Sequence, residues 1–209
     1  MTPLTFNPSG IPDELKTYPN FVLWQRELRD GKTTKVPYQI NGQKAASTRA
    51  ETWTTFPTAV SAYQSAGGKY DGIGFCLTEE TPIGIDLDHC RCPAFANQGL
   101  EIILPWAQDI IDKIDSYTEA SPSGKGIRIF AKGGKLPVGG RKKGDFEIYQ
   151  SGRYLTVTGN HIAGTPTKIM DRPDIIESVF NEIFGSKKDR DAGEKIQPQL
   201  NFNVTEILE

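Results

Sequence analysis

The stretch that decides the fold is residues 82–89, Pro-Ile-Gly-Ile-Asp-Leu-Asp-His. Its apolar residues alternate with small or polar ones, and this period of two predicts a β-strand. Asp86 and Asp88 then lie on the same face of that strand, where two carboxylates repel each other and burial adds to the cost. A divalent cation that prefers hard oxygen ligands, Mg²⁺ or Mn²⁺, would remove the conflict. The simpler alternative is a solvated strand edge with two surface acids.

The length and composition limit the class of protein. A chain of 209 residues is long enough for one large domain or two small modules. It has no apolar run of about 18 residues, and residues 1–12 lack the features of a signal peptide, so we expect a cytoplasmic protein. The three cysteines, Cys76, Cys90 and Cys92, are too few for a disulfide framework and lack a zinc-binding spacing. We therefore expect free thiols.

The charge is unevenly distributed along the chain. The net charge of −2 argues against wholesale binding to a polyanion. Residues 120–144 nevertheless contain no acid and seven basic residues: Lys125, Arg128, Lys132, Lys135, Arg141, Lys142 and Lys143. This tract predicts a local patch that faces phosphates.

Hydrophobic periodicity predicts an α+β fold. Strands are predicted at 21–28, 33–39, 72–78, 83–89, 126–132, 145–150 and 154–158, and helices at 52–66, 99–115 and 172–184. Their order indicates a helix–hairpin module followed by a mixed sheet with helices on one face. We expect one catalytic unit over 1–184, divided into modules at about 1–70 and 71–184. The polar composition of 185–199 indicates a linker, so 185–209 is a linker and tail.

A second motif occupies residues 121–129, Ser-Pro-Ser-Gly-Lys-Gly-Ile-Arg-Ile. Such a glycine-rich turn before a strand can present backbone N–H groups to an anion. Lys125 and Arg128 could hold a triphosphate, lysine as a point charge and arginine through its planar fork. The alternative is an ordinary turn with exposed charges. The spacing is not that of a Walker A loop.

A third motif, residues 145–149, again has a period of two. If this strand lies beside the Asp86 strand, Glu147 could be a third ligand of a two-cation site for phosphoryl displacement. Downstream, Arg153 could contact a phosphate. Tyr154 could pack on a sugar or base, although a half-buried core tyrosine is the commoner case, and His161 is most simply structural.

In this order the motifs IGIDLDHC, SPSGKGIRI and FEIYQSGRYLTVTG resemble the archaeo-eukaryotic primase superfamily, and most closely the primase–polymerase domains of phage and plasmid replication proteins. The upstream segments LWQRELRDGKTTKVPYQINGQKAAST and YDGIGFCLT are also similar. The resemblance covers roughly residues 18–163. The combination in this order is far more specific than any one motif.

The resemblance implies a fold and a chemistry. The fold would be an N-terminal α/β module packed on a catalytic module like an RNA-recognition motif (RRM), with the active site in the cleft between them. The reaction would be template-directed nucleotidyl transfer, with Asp86, Asp88 and Glu147 binding two Mg²⁺ or Mn²⁺ ions. The family usually has a histidine on the nucleotide phosphates where this chain has Arg128, which can bind phosphate but cannot titrate near neutrality.

The same resemblance implies partners and further site residues. The partners would be a single-stranded DNA template, a primer, NTPs or dNTPs, and a C-terminal helicase region of the same protein, encoded by a phage or plasmid of a bacterial or archaeal host. The expected nucleotide-binding residues are Ser121, Ser123, Lys125, Arg128, Arg153 and, less strongly, Lys35. The expected template-binding residues are Lys132, Lys135, Arg141, Lys142 and Lys143.

Two other functions are consistent with parts of the sequence. A metal-dependent glycosyltransferase with an Asp-x-Asp motif explains Asp86 and Asp88 but not the basic tract. A non-catalytic member of the same fold that binds single-stranded DNA would explain why Arg128 replaces the histidine. Against that reading, a pure binding module gains nothing from acids clustered beside a polyanion.

Overall fold

The computed structural model describes residues 4–92 and 102–185, and most of its strands form two antiparallel sheets. The first sheet contains, in spatial order, β11 (Tyr154–Val157), β3 (Gly72–Cys76), β1 (Phe21–Arg29) and β2 (Lys32–Tyr38). The second contains β7 (Tyr117–Ala120), β8 (Ile127–Ala131), β4 (Ile83–Leu87), β10 (Phe146–Tyr149) and β9 (Lys142–Lys143). A short separate pair joins β5 (Arg91–Cys92) to β6 (Ile102–Ile103).

The helices are α1 (Asp13–Lys16), α2 (Phe56–Ser65), α3 (Pro105–Ile114) and α4 (Pro173–Phe184), with short 3₁₀ turns at Pro8–Gly10 and Ala50–Thr52. The three longer helices carry a proline in their first turn, where its missing N–H costs nothing. Within 4–92 and 102–185, no helix is long and apolar enough to cross a bilayer. The three cysteines are free, as expected.

Most of the predicted elements are present, with differences at their ends. The predicted hairpin between the first two strands is confirmed, and its turn residues Asp30 and Gly31 both have the positive φ that a tight turn between twisted strands requires. The helix predicted over 99–115 begins only at Pro105, because 102–103 form a strand and 99–101 lie outside the described residues. The predicted tail at 185–209 also lies outside them, apart from Gly185.

One prediction about the sheets was wrong, and a strand of the second sheet was missed. A mixed sheet was expected, but all the strand pairs of the two larger sheets are antiparallel, which agrees with an α+β fold. β7 was not predicted, since its sequence Tyr-Thr-Glu-Ala lacks an apolar alternation. A division at residue 70 also does not follow the sheets, because β3 and β11 both belong to the first sheet.

The two faces of the second sheet have different neighbours. One face, with Ile85, Ile129 and Ile148, packs against the apolar sides of α3 and α4. From the opposite face, Phe130 and Tyr149 join the core of the first sheet and α2. The first sheet therefore lies on the side of the second sheet that the helices leave open.

β11 crosses over this open face. Leu155 lies directly above Gly84 of β4, where an added Cβ would be 2.5 Å from the Leu155 Cδ1. Beyond the end of β11, the backbone N–H groups of Thr158 and Gly159 donate to Glu119 of β7 at 2.9 and 2.8 Å. Since β8 lies between β4 and β7, the chain between these two contacts passes over β8.

We predict that Gly159→Ala strongly destabilises the protein. Gly159 has a φ of +68°, and an added Cβ would lie 1.9 Å from the backbone oxygen of Asn7, which cannot move away as a side chain could. The expected loss in the free energy of unfolding is more than about 3 kcal/mol. The measurement is urea-induced unfolding. Gly164→Ala is the matched control, because Gly164 has a φ of +85° but no neighbour near the added Cβ. Its loss should be about 1–2 kcal/mol, and equal losses in the two variants would contradict the prediction.

Candidate active site

A row of five charged residues crosses the open face of the second sheet. The strand register places them opposite one another in the order Glu119, Arg128, Asp86, Glu147 and Lys142. Directly opposed residues in antiparallel strands have their side chains on the same face. The pairing of β10 with β4 therefore meets the condition under which Glu147 was predicted to join Asp86, and Arg128 of the second motif lies on the other side of Asp86.

The next row along the same strands is uncharged: Tyr117, Phe130, Gly84 and Tyr149. Its three aromatic residues belong to the core shared with the first sheet. The open face is thus divided into an apolar row that holds the sheets together and a charged row in the cleft beside it. The strand β11 passes over the sheet between them.

Arg128 is almost completely buried yet incompletely hydrogen-bonded. Its side chain is 3% exposed, and its Nη2 lies 3.4 Å from Oδ2 of Asp86. This distance is long for a charge-assisted hydrogen bond, which is usually about 2.7–2.9 Å. The Nε and Nη1 of Arg128 and the Oδ1 of Asp86 are buried without any hydrogen-bond partner. Such groups are rare in native proteins and commonly mark the place of a water, ion or ligand.

Asp88 and Lys35 line the cleft beside this pair. Burial and the negative charge of Asp86 raise the pKa of Asp88. The Lys35 residue is exposed overall, yet its ammonium group is desolvated and interacts electrostatically with Arg128, Asp86 and Asp88. Desolvation and the positive charge of Arg128 lower the pKa of Lys35 to about 8, although Asp86 and Asp88 oppose the shift. The first sheet thus contributes a cation to a cleft whose acids come from the second.

Tyr154 connects β11 to β2 at the position of Lys35. Its hydroxyl donates to the backbone oxygen of Lys35 at 2.7 Å. The tyrosine ring packs against Gly74, where an added Cβ would be 2.6 Å from the ring. Burial raises the pKa of Tyr154, and the nearby Arg128 charge opposes the shift. Tyr154 therefore faces the charged row, as its half-buried position allows.

Glu147 has both carboxylate oxygens engaged within the protein. Lys142 contacts Oε1, and the hydroxyl of Tyr149 donates to Oε2 at 2.8 Å. Burial opposes ionisation, but these two hydrogen bonds lower the pKa of Glu147. The guanidinium of Arg153 lies 4.9 Å above the Tyr149 ring and so borders the same acid.

The acids are not already arranged as a metal cage. Across the described parts of the chain, no three His, Cys, Asp or Glu side chains converge on one cation position. The reason lies in the row itself, because Arg128 and Lys142 flank Asp86 and Glu147. The donor chemistry nevertheless fits Mg²⁺ or Mn²⁺, since Asp86 has a buried oxygen without a partner and burial beside Asp86 raises the pKa of Asp88. These two acids could hold a cation, and Glu147 could join once Lys142 has moved away.

The predicted phosphate loop uses its hydroxyl groups to hold its own shape. The buried Ser121 Oγ accepts the N–H of Gly126 at 3.1 Å and lies 3.1 Å from the Ser123 Oγ. Ser123 also accepts the N–H of Lys125 at 3.3 Å. The side chains of Ser123 and Lys125 are exposed at the turn. Of the motif residues, Lys125 and Arg128 are therefore better placed for a ligand than Ser121.

Most of the basic residues predicted to bind the template make contacts within the protein. Lys132 pairs with Glu14, Lys142 with Glu147, and the Lys143 ammonium donates to the Ile183 backbone oxygen. Arg141 donates to the backbone oxygens of residues 137, 139 and 140 and lies over the Phe180 ring. Lys135 is exposed. Arg141 thus has a structural role that its position in a charge run did not reveal.

Two residues of this region were missed by the sequence analysis. Glu119 is fully buried, and it accepts hydrogen bonds from the Tyr117 hydroxyl and from two backbone N–H groups. Burial raises its pKa, and these hydrogen bonds oppose the shift. Thr156 of β11 is also buried, and its hydroxyl has no partner. Glu119 could have been found only by recognising β7. His161 stacks on Tyr117 at 5.8 Å, which agrees with the structural interpretation.

We predict that Lys35 titrates near pH 8 instead of the ordinary 10.5. Reductive ¹³C-methylation followed by NMR titration measures this midpoint, and Lys35→Arg assigns the signal. Asp88→Asn should move the midpoint lower, because the Asp88 charge supports the ammonium form. Above pH 8 the lysine loses its charge, so any anion that it binds should be held less tightly. A midpoint that stays at the ordinary value would show that the ammonium is not in the cleft.

Comparison with known proteins gives this geometry a context. No protein-family model matches the chain. The DNA primase-polymerase of Nitratiruptor phage NrS-1 is 36% identical over 179 residues, which is 82% of this chain. The aligned region is 22% of the phage protein, so the chain spans about a fifth of that relative's length. The chain is therefore related, over most of its own length, to a phage DNA primase-polymerase.

Proposed function

We propose that this chain carries the nucleotidyl-transfer site of a replication primase-polymerase, as in the archaeo-eukaryotic primase superfamily. The observation that carries the proposal is the row Arg128–Asp86–Glu147, in which an arginine and two acids from the three motifs lie side by side on neighbouring strands. A phosphate-binding group next to cation-binding acids is the arrangement that phosphoryl transfer requires. The similarity to a phage DNA primase-polymerase supports the same reaction class.

In this proposal Asp86 and Asp88 bind Mg²⁺ or Mn²⁺, and Glu147 completes a two-cation site after it releases Lys142. Bound divalent cations make the attacking hydroxyl more acidic and neutralise charge on the transferred phosphoryl group. Asp86 and Glu147 lie on the adjacent strands β4 and β10, whose ladder of backbone hydrogen bonds holds their positions. Asp88 follows the end of β4, where its N–H donates to the Asp145 backbone oxygen at 2.8 Å. The residues thereby provide orientation, which accounts for much of catalysis in phosphoryl transfer.

The incoming nucleotide is held through its triphosphate. Arg128 has two buried N–H donors without partners, and it takes the role of the family's histidine. Lys35 contributes a second positive charge from the first sheet. The exposed side chains of Lys125 and Arg153 lie on the turn before β8 and just before β11, where they can reach the outer phosphates. Arg128 does not replace the proton transfer that a histidine could supply, because its guanidinium stays protonated.

Template and primer strands bind outside the row, through phosphates and without reading bases. In the basic tract, the exposed Lys135 can bind these phosphates directly. Lys132 and Lys142 can bind them after they release their present acidic partners, Glu14 and Glu147. We leave Arg141 out of this set, because its Nη1 donates to three backbone oxygens of the loop before β9. A helicase region beyond residue 209 remains part of the proposal for the whole protein.

The rival functions account for less of the geometry. A protein that only binds single-stranded DNA does not need Asp86, Asp88 and Glu147 in the cleft, where they repel phosphates. A glycosyltransferase would use the two aspartates but gives no reason for Arg128 and Glu147 to flank them in one row.

The deciding experiment is a synthesis assay on single-stranded templates, with and without a primer. It compares NTPs with dNTPs, and Mg²⁺ with Mn²⁺, with a chelator as control. Template-dependent extension that stops on chelation supports the proposal. DNA binding without any nucleotide incorporation would favour the non-catalytic alternative, and transfer from a nucleotide sugar would favour the glycosyltransferase.

We predict that Asp86→Asn and Asp88→Asn both abolish synthesis but change stability in opposite directions. Asp86 is the ion-pair partner of the buried Arg128, so its loss should lower the free energy of unfolding by roughly 2 kcal/mol or more. Folding raises the pKa of Asp88, and a carboxyl of this kind destabilises the folded state above its pKa. Asp88→Asn should therefore be at least as stable as the wild type.

Thermal unfolding in a chelator at neutral pH measures the two stabilities, and primer extension measures the activity. Glu79→Gln is a suitable control, because Glu79 is an exposed acid on the turn between β3 and β4. Wild-type synthesis by both variants would refute the metal assignment. Equal stability losses would refute the electrostatic asymmetry between the two acids.

A further inference from the structure

The crossing of β11 over the second sheet places Thr156 opposite Arg128. Leu155 contacts Gly84 on β4, and the N–H of Thr158 reaches Glu119 on β7. Because β8 lies between those two strands, Thr156 lies over β8. Successive side chains of a strand point to opposite sides. Leu155 faces the apolar core that contains Phe130 of β8, so Thr156 faces the charged row, where the residue of β8 is Arg128.

Tyr154 gives independent support for this orientation. Tyr154 and Thr156 are two positions apart on β11 and share a side of the strand. Tyr154 is close enough to Arg128 for the two groups to interact electrostatically, and its hydroxyl is bonded to Lys35 in the cleft. The side of β11 that carries Tyr154 and Thr156 is therefore the side that borders the charged row.

The facing groups are all hydrogen-bond donors without partners. Thr156 is 2% exposed, and its hydroxyl makes no hydrogen bond. The Nε and Nη1 of Arg128 are also buried without a hydrogen-bond partner. Three unsatisfied donors on two facing residues are unfavourable unless a shared acceptor joins them. The guanidinium offers the hydroxyl no acceptor, and the hydroxyl oxygen, which could accept, takes no hydrogen bond from Arg128.

We propose that Thr156 is a phosphate ligand, and that its hydroxyl and the Arg128 guanidinium together bind one phosphate group of the incoming nucleotide. The inference rests on the proposed function and adds to it a residue from the first sheet. When Asp86 binds a cation, Arg128 gives up its long 3.4 Å contact with that acid. Metal binding at Asp86 and phosphate binding at Arg128 would then favour each other. Each replaces the long Arg128–Asp86 contact and satisfies groups that now lack a partner.

The isosteric change Thr156→Val separates this role from a structural one. A threonine hydroxyl that stabilises the fold has a hydrogen-bond partner, and removing that hydroxyl lowers the stability of the protein. Removal of an unsatisfied buried hydroxyl should leave the melting temperature unchanged or raise it. Thr158→Val is the matched control on the same side of the chain, because the Thr158 hydroxyl donates to the Ala120 backbone oxygen at 2.7 Å. That variant should melt at a lower temperature.

Binding is measured by isothermal titration calorimetry of the whole chain with dATP and Mg²⁺ and without template, so that no synthesis occurs. Thr156→Val should weaken binding roughly tenfold or more, which is the value of one hydrogen bond to a charged group. Thr156→Ser keeps the hydroxyl and should bind nearly as the wild type does. Inorganic tripolyphosphate should show the same loss as dATP, because the contact is to phosphate.

Each other outcome overturns the inference. Unchanged binding of dATP by Thr156→Val, or a fall in its melting temperature equal to that of Thr158→Val, would remove Thr156 from the site. A loss seen with dATP but not with tripolyphosphate would place the contact on the nucleoside. Arg128→Ala tests the underlying proposal in the same titration. If that variant binds normally, the phosphate site of the proposed function fails too, whereas a loss confined to Arg128→Ala refutes only the role of Thr156.

Discussion

The contact between Leu155 and Gly84 is the constraint on which the site depends. Only a residue without a side chain on β4 lets β11 approach the second sheet this closely. The approach closes the apolar core that both sheets share, and it brings the other side of β11 to the charged row. Hydrophobic packing and the assembly of the cleft are thus consequences of one contact, so a change that separates the sheets should affect stability and binding together.

The charges of the row are balanced by neighbours that a catalytic site must later exchange. Arg128 and Lys142 flank Asp86 and Glu147, so the adjacent acids tolerate each other without a cation. Each ion pair stabilises the row, and each also occupies an oxygen that a cation would need. The weak link is the long Arg128–Asp86 contact, whereas Glu147 is held by two donors. Under the proposed function, a first cation would therefore bind on the aspartates before Glu147 changes partner.

Glu119 shows how a buried charge can serve the fold without serving the reaction. Its carboxylate is satisfied by three donors, two of them backbone N–H groups from the segment that follows β11. It therefore fastens that segment to the edge of the second sheet. Arg128, its neighbour in the row, is equally buried but lacks partners for two donors. Full satisfaction is typical of a structural charge, and the unsatisfied donors of Arg128 are the feature on which its proposed phosphate-binding role rests.

The sequence by itself determined the local elements and the chemical identity of the motif residues. Alternation at 83–89 and 145–150 predicted two strands with their acids on one face, because side-chain direction in a strand depends only on the period of two. The structure has these strands at Ile83–Leu87 and Phe146–Tyr149, so Asp88 follows the end of the first. The sequence also identified Arg128 as a phosphate-binding candidate, since that inference needs only residue type and a preceding turn. Local patterns could not reveal β7, which has too little apolar contrast to stand out from a loop.

Only the tertiary structure decided which strands are neighbours and which charges are already engaged. Strand order depends on contacts between residues far apart in the chain, and so β3 and β11 entered the first sheet although the motifs around them belong to the second. The same holds for the basic tract, where Arg141 binds backbone oxygens and Lys142 an acid. The sequence shows which basic residues a segment contains. Packing in three dimensions determines which of them already contact other parts of the protein and which remain available to a ligand.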